Sequence, residues 1–276
     1  MKLATIRTDA GTAAVRVDGD TATEVGARDV GELLAAPGWR ERAEAADGPV
    51  HRVGGLDYAP VVPRPGKIVC VGLNYRSHIQ EMRRELPAYP TLFAKFPEAL
   101  IGPYDDLVLP AESGAVDWEA ELAVVMGERV RRADEDSARA AIAGYAVLND
   151  VSMRDWQFRT GEWLQGKTFE ATAPFGPHLV TNDEVAADAR IVCELDGEVV
   201  QSSRISDLVF GPVELVRYIS TILTLSPGDV IATGTTGGVG HARKPPRYLQ
   251  PGQKLVTRIA GIGELVTPVR GPEATR

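Results

Sequence analysis

Three acidic residues alternate with other residue types in the segment AVDWEAEL, at Asp117, Glu119 and Glu121. Successive side chains of a β-strand point to opposite faces, so a strand here would place all three carboxylates on one face. A solvated edge strand is the commonest setting for such acids. The apolar run LAVVMG that follows instead predicts a buried strand, in which neighbouring negative charges are costly unless a cation offsets them. The segment therefore fits either an exposed edge or a metal site.

A fourth carboxylate, Asp150, ends the apolar segment AVLND, where a strand terminus could bring it alongside Glu119 and Glu121. Carboxylate oxygens are hard ligands that suit Mg²⁺, Mn²⁺ or Ca²⁺. Zinc is not indicated, because the chain contains no H-E-x-x-H or C-x-x-C pattern. A metal held by these acids would therefore be one of the hard divalent cations.

Side chains that could bind a carboxylate substrate follow the acids along the chain. Arg154 and Gln157 lie three residues apart in NDVSMRDWQ, so a helical turn would place them on one face. Lys167 stands among apolar neighbours in WLQGKTF, although a solvated loop lysine would give the same pattern. Arg and Lys beside a metal are the residue types that recognise carboxylates.

A possible proton-transfer pair lies upstream, in the segment RSHIQEMRREL, which predicts a short helix. His78 and Glu81 are three residues apart there, so the glutamate could orient the imidazole while the imidazole takes a proton from water. A single histidine in a short helix is, however, more often structural or exposed. This pair alone does not identify a catalytic site.

The glycine-rich segment VIATGTTGGVG lacks both the GK[ST] ending of a P-loop and the spacing of a dinucleotide-binding loop. We interpret it as a turn whose backbone N–H groups and Thr235 hydroxyl could face a small anion. A purely structural turn is an equal alternative.

The elements that must position these residues are mostly short strands. Helices do not alternate with them regularly, which disfavours a Rossmann or TIM-barrel fold. Asp196-Gly197 between two apolar alternations predicts a β-hairpin, GPVELVRYISTILTL predicts a helix with Pro212 in its first turn, and SARAAIAGY predicts a helix closed by Gly144. A proline-rich run at 60–66 marks a boundary. We predict an α+β, mostly β chain with a small N-terminal α+β domain over 1–62 and a catalytic domain over 63–276.

The bulk properties exclude some classes of protein. A net charge of −8 argues against a nucleic-acid partner, which needs surplus Lys and Arg, but leaves a small anionic substrate open. The two cysteines lie singly in apolar segments, so no disulfide framework is indicated. No apolar stretch has the length of a signal peptide core or a membrane span. We therefore expect a cytoplasmic protein with no membrane partner.

Many motifs together resemble the fumarylacetoacetate hydrolase family in order and spacing, from about residue 64 to the end of the chain. Residues 1–60 resemble only loosely the variable N-terminal domain of many members. The motifs that carry the resemblance are KIVCVGLNYRSHIQEM, PTLFAKF, VDWEAELAVVMG, AGYAVLNDVSMRDWQ, QGKTF, APFGPHLV, LSPGDVIATGTTGGVG and QPGQKLV. One departure is Thr236, where the family loop T-G-T-P commonly has proline.

The resemblance implies a mixed β-sandwich or β-roll of the family's C-terminal-domain type, assembled as a homodimer. It also assigns a role to each candidate residue. The metal would be Mg²⁺ or Mn²⁺, with Ca²⁺ a further occupant in crystals. The implied metal ligands are Glu119, Glu121 and Asp150; the implied catalytic residues are His78 and Glu81, a water-activating dyad on a lid helix, and Lys167; the implied substrate-binding residues are Arg154, Gln157 and Thr235.

The activity that the resemblance implies is metal-dependent hydrolysis of a carbon–carbon bond in an acylpyruvate, a 2,4-dioxo acid such as fumarylpyruvate, in aromatic catabolism. The metal would stabilise an enolate, and activated water would attack the distal carbonyl. The alternative is an isomerase or decarboxylase acting on 2-hydroxy-dienedioates or oxaloacetate at the same site. An inert metal-binding scaffold is a remote alternative, because His78, Glu81 and Lys167 are all retained. The loops RRELPAYP and HARKPPRY would shape the pocket that decides between substrates.

Overall fold

The computed structural model describes residues 1–81 and 85–272. Its strands are β1 (Lys2–Thr8), β2 (Gly11–Asp18), β3 (Thr21–Glu24), β4 (Val50–Arg52), β5 (Asp57–Tyr58), β6 (Ile68–Gly72), β7 (Thr91–Lys95), β8 (Leu100–Ile101), β9 (Leu107–Val108), β10 (Val116–Asp117), β11 (Ala120–Met126), β12 (Ile142–Asn149), β13 (Ser152–Met153), β14 (Ala173–Thr181), β15 (Arg190–Leu195), β16 (Glu198–Arg204), β17 (Val230–Thr235), β18 (Lys254–Ile259) and β19 (Gly263–Arg270). Its α-helices are α1 (Val30–Ala35), α2 (Trp39–Glu44), α3 (Arg76–Glu81), α4 (Glu135–Ala141), α5 (Arg154–Gln157), α6 (Leu164–Lys167) and α7 (Pro212–Ile222). Short 3₁₀ helices occupy Val53–Gly55, Pro97–Ala99, Asn182–Glu184, Ile205–Asp207 and Gly240–Ala242. None of these helices is long and apolar enough to cross a membrane.

Most strands belong to two mixed sheets that pack face to face. The larger has 12 strands, ten of them in the order β4-β3-β2-β1-β14-β12-β11-β17-β6-β7, with β5 beside β1 and β8 beside β14. The smaller has five strands in the order β16-β15-β18-β19-β9. Strands β11, β12 and β14 of the larger sheet contact β15, β18 and β19 of the smaller one. The predicted α+β, mostly β sandwich is confirmed.

The main core fills the space between the two sheets. Leu122 and Val147 from the larger sheet pack there with Ile191 and Leu255 from the smaller one, and Trp118 lies fully buried among them. On the opposite face of the larger sheet, a second apolar cluster packs α1 and α2 against β11, β12 and β17. A third cluster packs α4 and α7 against β11 and β17 beside the main core. The strands β11, β12 and β17 are therefore covered on both faces, which fixes the side chains at their ends.

The N-terminal segment is joined to the rest of the chain through this larger sheet. Strand β1 pairs antiparallel with β14, with Lys2 opposite Val180 and Leu3 opposite Leu179. Strands β2, β3 and β4 continue the sheet outward from β1. The domain boundary after residue 62 stays a prediction, and the segments on its two sides share one sheet.

Local sequence patterns predicted some secondary-structure elements correctly and others wrongly. The hairpin at Asp196-Gly197 and the helix beginning at Pro212 are confirmed, and both turn residues of the hairpin have positive φ. The single strand predicted for VDWEAELAVVMG is wrong: β10 ends at Asp117 and pairs with β13, and β11 begins only at Ala120. Glu119 lies in the break between them, which directs its side chain independently of strand alternation.

The role predicted for Gly144 is also wrong. Helix α4 ends at Ala141, and Gly144 lies inside β12, opposite Thr181 of β14. A Cβ atom there would lie 2.1 Å from the carbonyl oxygen of Val180. Glycine is therefore required by the close approach of two strands.

We expect Gly144→Ala to destabilise the protein, because the added methyl group must force β12 and β14 apart. Overpacking of this kind costs roughly 1–3 kcal/mol, and the melting temperature should fall by roughly 2–10 °C. Thermal unfolding followed by circular dichroism measures the change. Gly54→Ala is the matched control, because no atom lies within 4 Å of the position of its added Cβ. Equal melting temperatures for the two variants would contradict the close approach.

Candidate active site

Three buried carboxylates meet where β11 begins and its neighbour β12 ends. Glu121 lies in β11, Glu119 directly precedes it, and Asp150 directly follows β12. The antiparallel pairing sets Ala120 opposite Asn149, and the Asp150 N–H donates to the Glu119 carbonyl at 2.9 Å. One oxygen from each carboxylate lies within 4.8 Å of the other two. The predicted cluster of Glu119, Glu121 and Asp150 is thus formed, and its role as a metal site stays a prediction.

Within the part of the chain that the structure describes, Glu119 and Asp150 form ion pairs with buried lysine or arginine side chains, whereas Glu121 does not. Its carboxylate accepts a hydrogen bond from the Gly234 N–H at 2.9 Å, and no cation of the described residues forms an ion pair with it. Burial, followed by the charges of Asp150 and Glu119, raises the pKa of Glu121 well above its ordinary value. A hard divalent cation would reduce this penalty, because it attracts all three carboxylates at once and offsets their mutual repulsion. The residues present therefore fit Mg²⁺ or Mn²⁺.

Two buried lysines lie against the same carboxylates. The Lys167 Nζ lies 2.5 Å from Glu119 Oε2 and 3.1 Å from Asp150 Oδ2. The Lys95 Nζ lies 2.9 Å from Asp150 Oδ1 and also donates to the Lys167 carbonyl. Burial alone would raise the pKa of Asp150, but Lys167 and Lys95 outweigh it and hold that pKa below its ordinary value. Lys95 was not among the predicted site residues, although it is a lysine that ends the largely apolar strand β7.

Arg154 organises the site through several ion pairs. Its Nε donates to Asp117 Oδ2 at 2.8 Å, and its Nη2 lies 2.8 Å from the same oxygen. Its Nη1 lies 2.7 Å from Glu119 Oε1 and donates to Gln157 Oε1 at 2.8 Å. The two residues share one face of α5, as their spacing predicted. Each guanidinium nitrogen has a protein partner, so in this structure Arg154 holds Asp117, Glu119 and Gln157 in position. Its predicted contact with the substrate stays a prediction.

Thr235 ends β17 beside the carboxylates, and its hydroxyl is also occupied. It donates to the Ala120 carbonyl at 2.9 Å and accepts from Gln201 Nε2 at 2.8 Å. Gln201 Nε2 further donates to the Thr236 carbonyl at 2.9 Å, so this amide holds the loop where the family commonly has proline. Gln201 comes from β16 of the smaller sheet, and no sequence pattern singled it out.

A cavity of about 150 Å³ opens over the carboxylates. Glu119, Glu121, Lys167 and Gln157 lie at its polar side, and the Gln157 amide nitrogen has no partner among the described residues. Aromatic and aliphatic side chains form the apolar wall, where Phe93 and Trp163 meet edge to face at 5.5 Å and Phe158 also lines the cavity. Such a mixture of apolar walls and a few converging polar groups is typical of small-molecule sites.

The predicted helix that carries His78 and Glu81 is present as α3. The Ser77 hydroxyl donates to Asp207 Oδ2 at 2.6 Å and Arg76 donates to the Leu208 carbonyl at 2.6 Å. These bonds hold the start of the helix against the distant 3₁₀ helix Ile205–Asp207. The side chains of His78 and Glu81 lie outside the described residues. Their predicted catalytic role therefore stays a prediction.

Comparison with known proteins agrees with this architecture. The model of the fumarylacetoacetate hydrolase C-terminal domain matches residues 67–270. The oxaloacetate tautomerase Fahd2a, mitochondrial, of Rattus norvegicus is 43% identical over 231 residues, which cover 83% of this chain and 74% of that protein.

Solved structures of other proteins align with nearly the whole of this chain. The fumarylacetoacetate hydrolase from Exiguobacterium antarcticum has a TM-score of 0.88 and 31% identity, covering 98% of this chain and 99% of that one. The 5-carboxymethyl-2-hydroxymuconate delta-isomerase from Mycobacterium smegmatis has a TM-score of 0.83 and 32% identity, covering 99% and 100%. Both the sequence match and the fold agree with the resemblance that the motifs predicted. This chain belongs to the fumarylacetoacetate hydrolase family.

Proposed function

We propose that this enzyme is a divalent-metal-dependent tautomerase or isomerase of small 2-oxo acids, with keto–enol interconversion of oxaloacetate as its first candidate reaction. The observation that carries the proposal is the buried triad of Glu119, Glu121 and Asp150 with the Lys167 ammonium beside it, at the base of a small cavity. A relative at 43% identity is an oxaloacetate tautomerase, and a structural neighbour is a hydroxymuconate isomerase. These similarities favour the isomerase alternative over the acylpyruvate hydrolase that we first predicted.

In this proposal Glu119, Glu121 and Asp150 would hold Mg²⁺ or Mn²⁺. The bound cation would act as a Lewis acid that polarises the 2-oxo group and makes the neighbouring C–H bond more acidic. Hard oxygen ligands and a buried carboxylate without a cationic partner support this assignment.

Lys167 would stabilise the oxygen on which negative charge develops when the substrate enolises. Burial lowers the pKa of this lysine, but Asp150 and Glu119 outweigh burial and raise it above its ordinary value. Two of the ammonium protons face Glu119 and Asp150, and the third would be available to a substrate oxygen. The free Gln157 amide would donate to the substrate carboxylate.

A tautomerase also needs a group that carries a proton to and from carbon. Arg154 and Lys167 stay protonated and the three carboxylates would hold the cation, so these side chains are unsuited to that task. We propose that His78 and Glu81 on α3 carry the proton, with Glu81 orienting the imidazole. The same pair would activate water in a hydrolase, which explains how one family can support both outcomes.

Hydrolysis of an acylpyruvate remains the second candidate function. It is favoured by the structural neighbour from Exiguobacterium antarcticum, which is a fumarylacetoacetate hydrolase. Both reactions need the same cation site and the same oxyanion contact. They differ in whether water attacks a second carbonyl, so only substrates that offer such a carbonyl separate them.

The test is a panel of substrates with Mg²⁺ or Mn²⁺. We expect the ultraviolet absorbance of enol-oxaloacetate to relax to its keto–enol equilibrium faster with enzyme than with metal alone, and faster than pyruvate is released. The Glu121→Gln variant with the same metal is the control for free-metal catalysis. Cleavage of acetylpyruvate without any effect on enol-oxaloacetate would replace the tautomerase by the hydrolase. Absence of both activities would favour the inert scaffold.

A further inference from the structure

The loop that follows β17 brings His241 to the mouth of the cavity. His241 lies in the 3₁₀ helix Gly240–Ala242, lines the cavity and is exposed, whereas the carboxylate triad is buried. Its backbone N–H donates to Asp117 Oδ2 at 3.0 Å, and the Gly240 N–H donates to Asp117 Oδ1 at 2.7 Å. The carboxylate that anchors Arg154 thus also fixes this loop. The position of His241 is therefore set by the same group that organises the buried end of the site.

The imidazole is held in one orientation by its neighbours. Its Nδ1 lies 2.9 Å from the Tyr248 hydroxyl, and its ring lies 5.2 Å from the Phe158 ring and 6.2 Å from the Tyr248 ring. The Tyr248 hydroxyl can donate to Nδ1, and in that tautomer the proton of a neutral imidazole sits on Nε2. A protonated imidazole also donates from Nε2, so in both forms Nε2 is a hydrogen-bond donor.

Few other donors of the cavity wall are available to a ligand. The guanidinium of Arg154 and the hydroxyl of Thr235 are committed to protein partners. The Gln157 amide nitrogen and the third proton of Lys167 could still donate to a ligand. Both side chains lie at the buried end of the cavity, where Gln157 contacts Arg154 and Lys167 contacts Glu119. Nε2 of His241 has no partner among the described residues. The cavity therefore offers free donors at its buried end and a separate one at its exposed end.

We propose that His241 binds the distal carboxylate of a 2-oxo dicarboxylate whose 2-oxo acid end lies at the triad. This inference rests on the proposed function, and it assigns recognition of the second carboxylate of a short diacid to one residue, His241. The planar wall formed by Phe158 and Tyr248 restrains the imidazole, so little side-chain freedom is lost when the carboxylate binds. Tyr248 is a positioning residue in this arrangement.

The experiment measures binding to the Mn²⁺-loaded protein, so it does not depend on turnover. S-malate and S-lactate share the 2-hydroxy acid end, but only malate has a distal carboxylate. Each displaces bound oxalate in a competitive calorimetric titration, and oxalate itself has no distal group. His241→Phe keeps a ring between Phe158 and Tyr248 and removes the donor, whereas Tyr248→Phe removes only the hydroxyl that orients Nδ1.

We expect wild-type protein to prefer malate over lactate, and His241→Phe to reduce this preference about three- to tenfold, the range for one hydrogen bond to a carboxylate at an exposed position. Tyr248→Phe should reduce the preference less, and neither variant should change oxalate affinity. An unchanged malate-to-lactate ratio in His241→Phe would overturn the proposal, and tighter lactate binding would assign this end to an apolar tail. Enol-oxaloacetate turnover of the same wild-type preparation tests the proposed function separately, since turnover without a malate preference refutes only the role of His241.

Discussion

Glu121→Gln is expected to lower the metal-dependent turnover number by at least roughly 10³-fold, because losing the Lewis acid removes several kcal/mol of transition-state stabilisation. The substitution is nearly isosteric, and the amide oxygen can still accept the Gly234 N–H. Among the described residues Glu121 forms no ion pair, and the nearby charge of Lys167 does not offset its burial, so a divalent ion would supply the missing counter-charge. The loss should therefore be one of metal affinity.

Mn²⁺ binding by calorimetry is the direct measurement, alongside turnover before and after treatment with EDTA. Glu119→Ala and Asp150→Ala should behave in the same way, and Mg²⁺ or Mn²⁺ should restore the wild-type enzyme. Glu135→Gln is the matched control, because this acid is exposed and its one ion pair with a described residue is the i,i+4 pair with Arg139. The melting temperature of metal-free Glu121→Gln should not fall below that of the wild type, since a neutral amide replaces a buried carboxyl group. Full activity in EDTA, or better recovery with Zn²⁺, would contradict a hard-cation site.

The acids of this site could be predicted because their signal is local. Glu119 and Glu121 are close in sequence next to an apolar strand, and Asp150 ends another apolar strand. The family resemblance then assigned a role to each of them. The structure brings the three together as predicted, although through a break in the chain at Glu119 instead of the regular alternation of a strand.

The residues that we missed are those whose neighbours are distant in sequence. Gln201 reaches Thr235 and Ala120 across the gap between the two sheets, and its own strand carries no unusual pattern. Gly144 looked like a helix terminator because the sequence shows the helix before it, but not the carbonyl of Val180 against which β12 packs. Hydrophobic periodicity gives the inward face of an element, and it does not say which element will cover that face.

The two lysines beside Asp150, Lys95 and Lys167, also could not be placed from sequence patterns alone. Either lysine, read alone, suits a solvated loop or strand end, and yet both are almost fully buried against Asp150. Burial of an ammonium group is tolerated only beside an anion. The two lysines and the three carboxylates are thus mutually dependent, and a pattern that considers one residue at a time cannot detect that dependence.

Lys167→Met is expected to lower the turnover number by roughly 10²–10³-fold, the usual loss when one donor to a developing oxyanion is removed. Mn²⁺ binding should persist, because all three carboxylates remain and the cation offsets their repulsion. Methionine fills a similar volume without charge or donor. The Lys167 side chain lines the cavity, so the effect should appear in turnover as well as in substrate affinity.

Lys95→Met is the comparison that separates this catalytic role from a structural one. Lys95 is equally buried and contacts the other oxygen of Asp150, but it does not line the cavity. Each substitution leaves Asp150 with one lysine in place of two, so both should reduce stability, by up to roughly 3–5 kcal/mol for a broken buried ion pair. Thermal unfolding and steady-state kinetics on both variants, with saturating Mn²⁺, give the two readouts. Similar melting temperatures with a much larger loss of turnover in Lys167→Met would support the oxyanion contact, whereas equal losses of turnover would mean that Lys167 only holds the carboxylates in place.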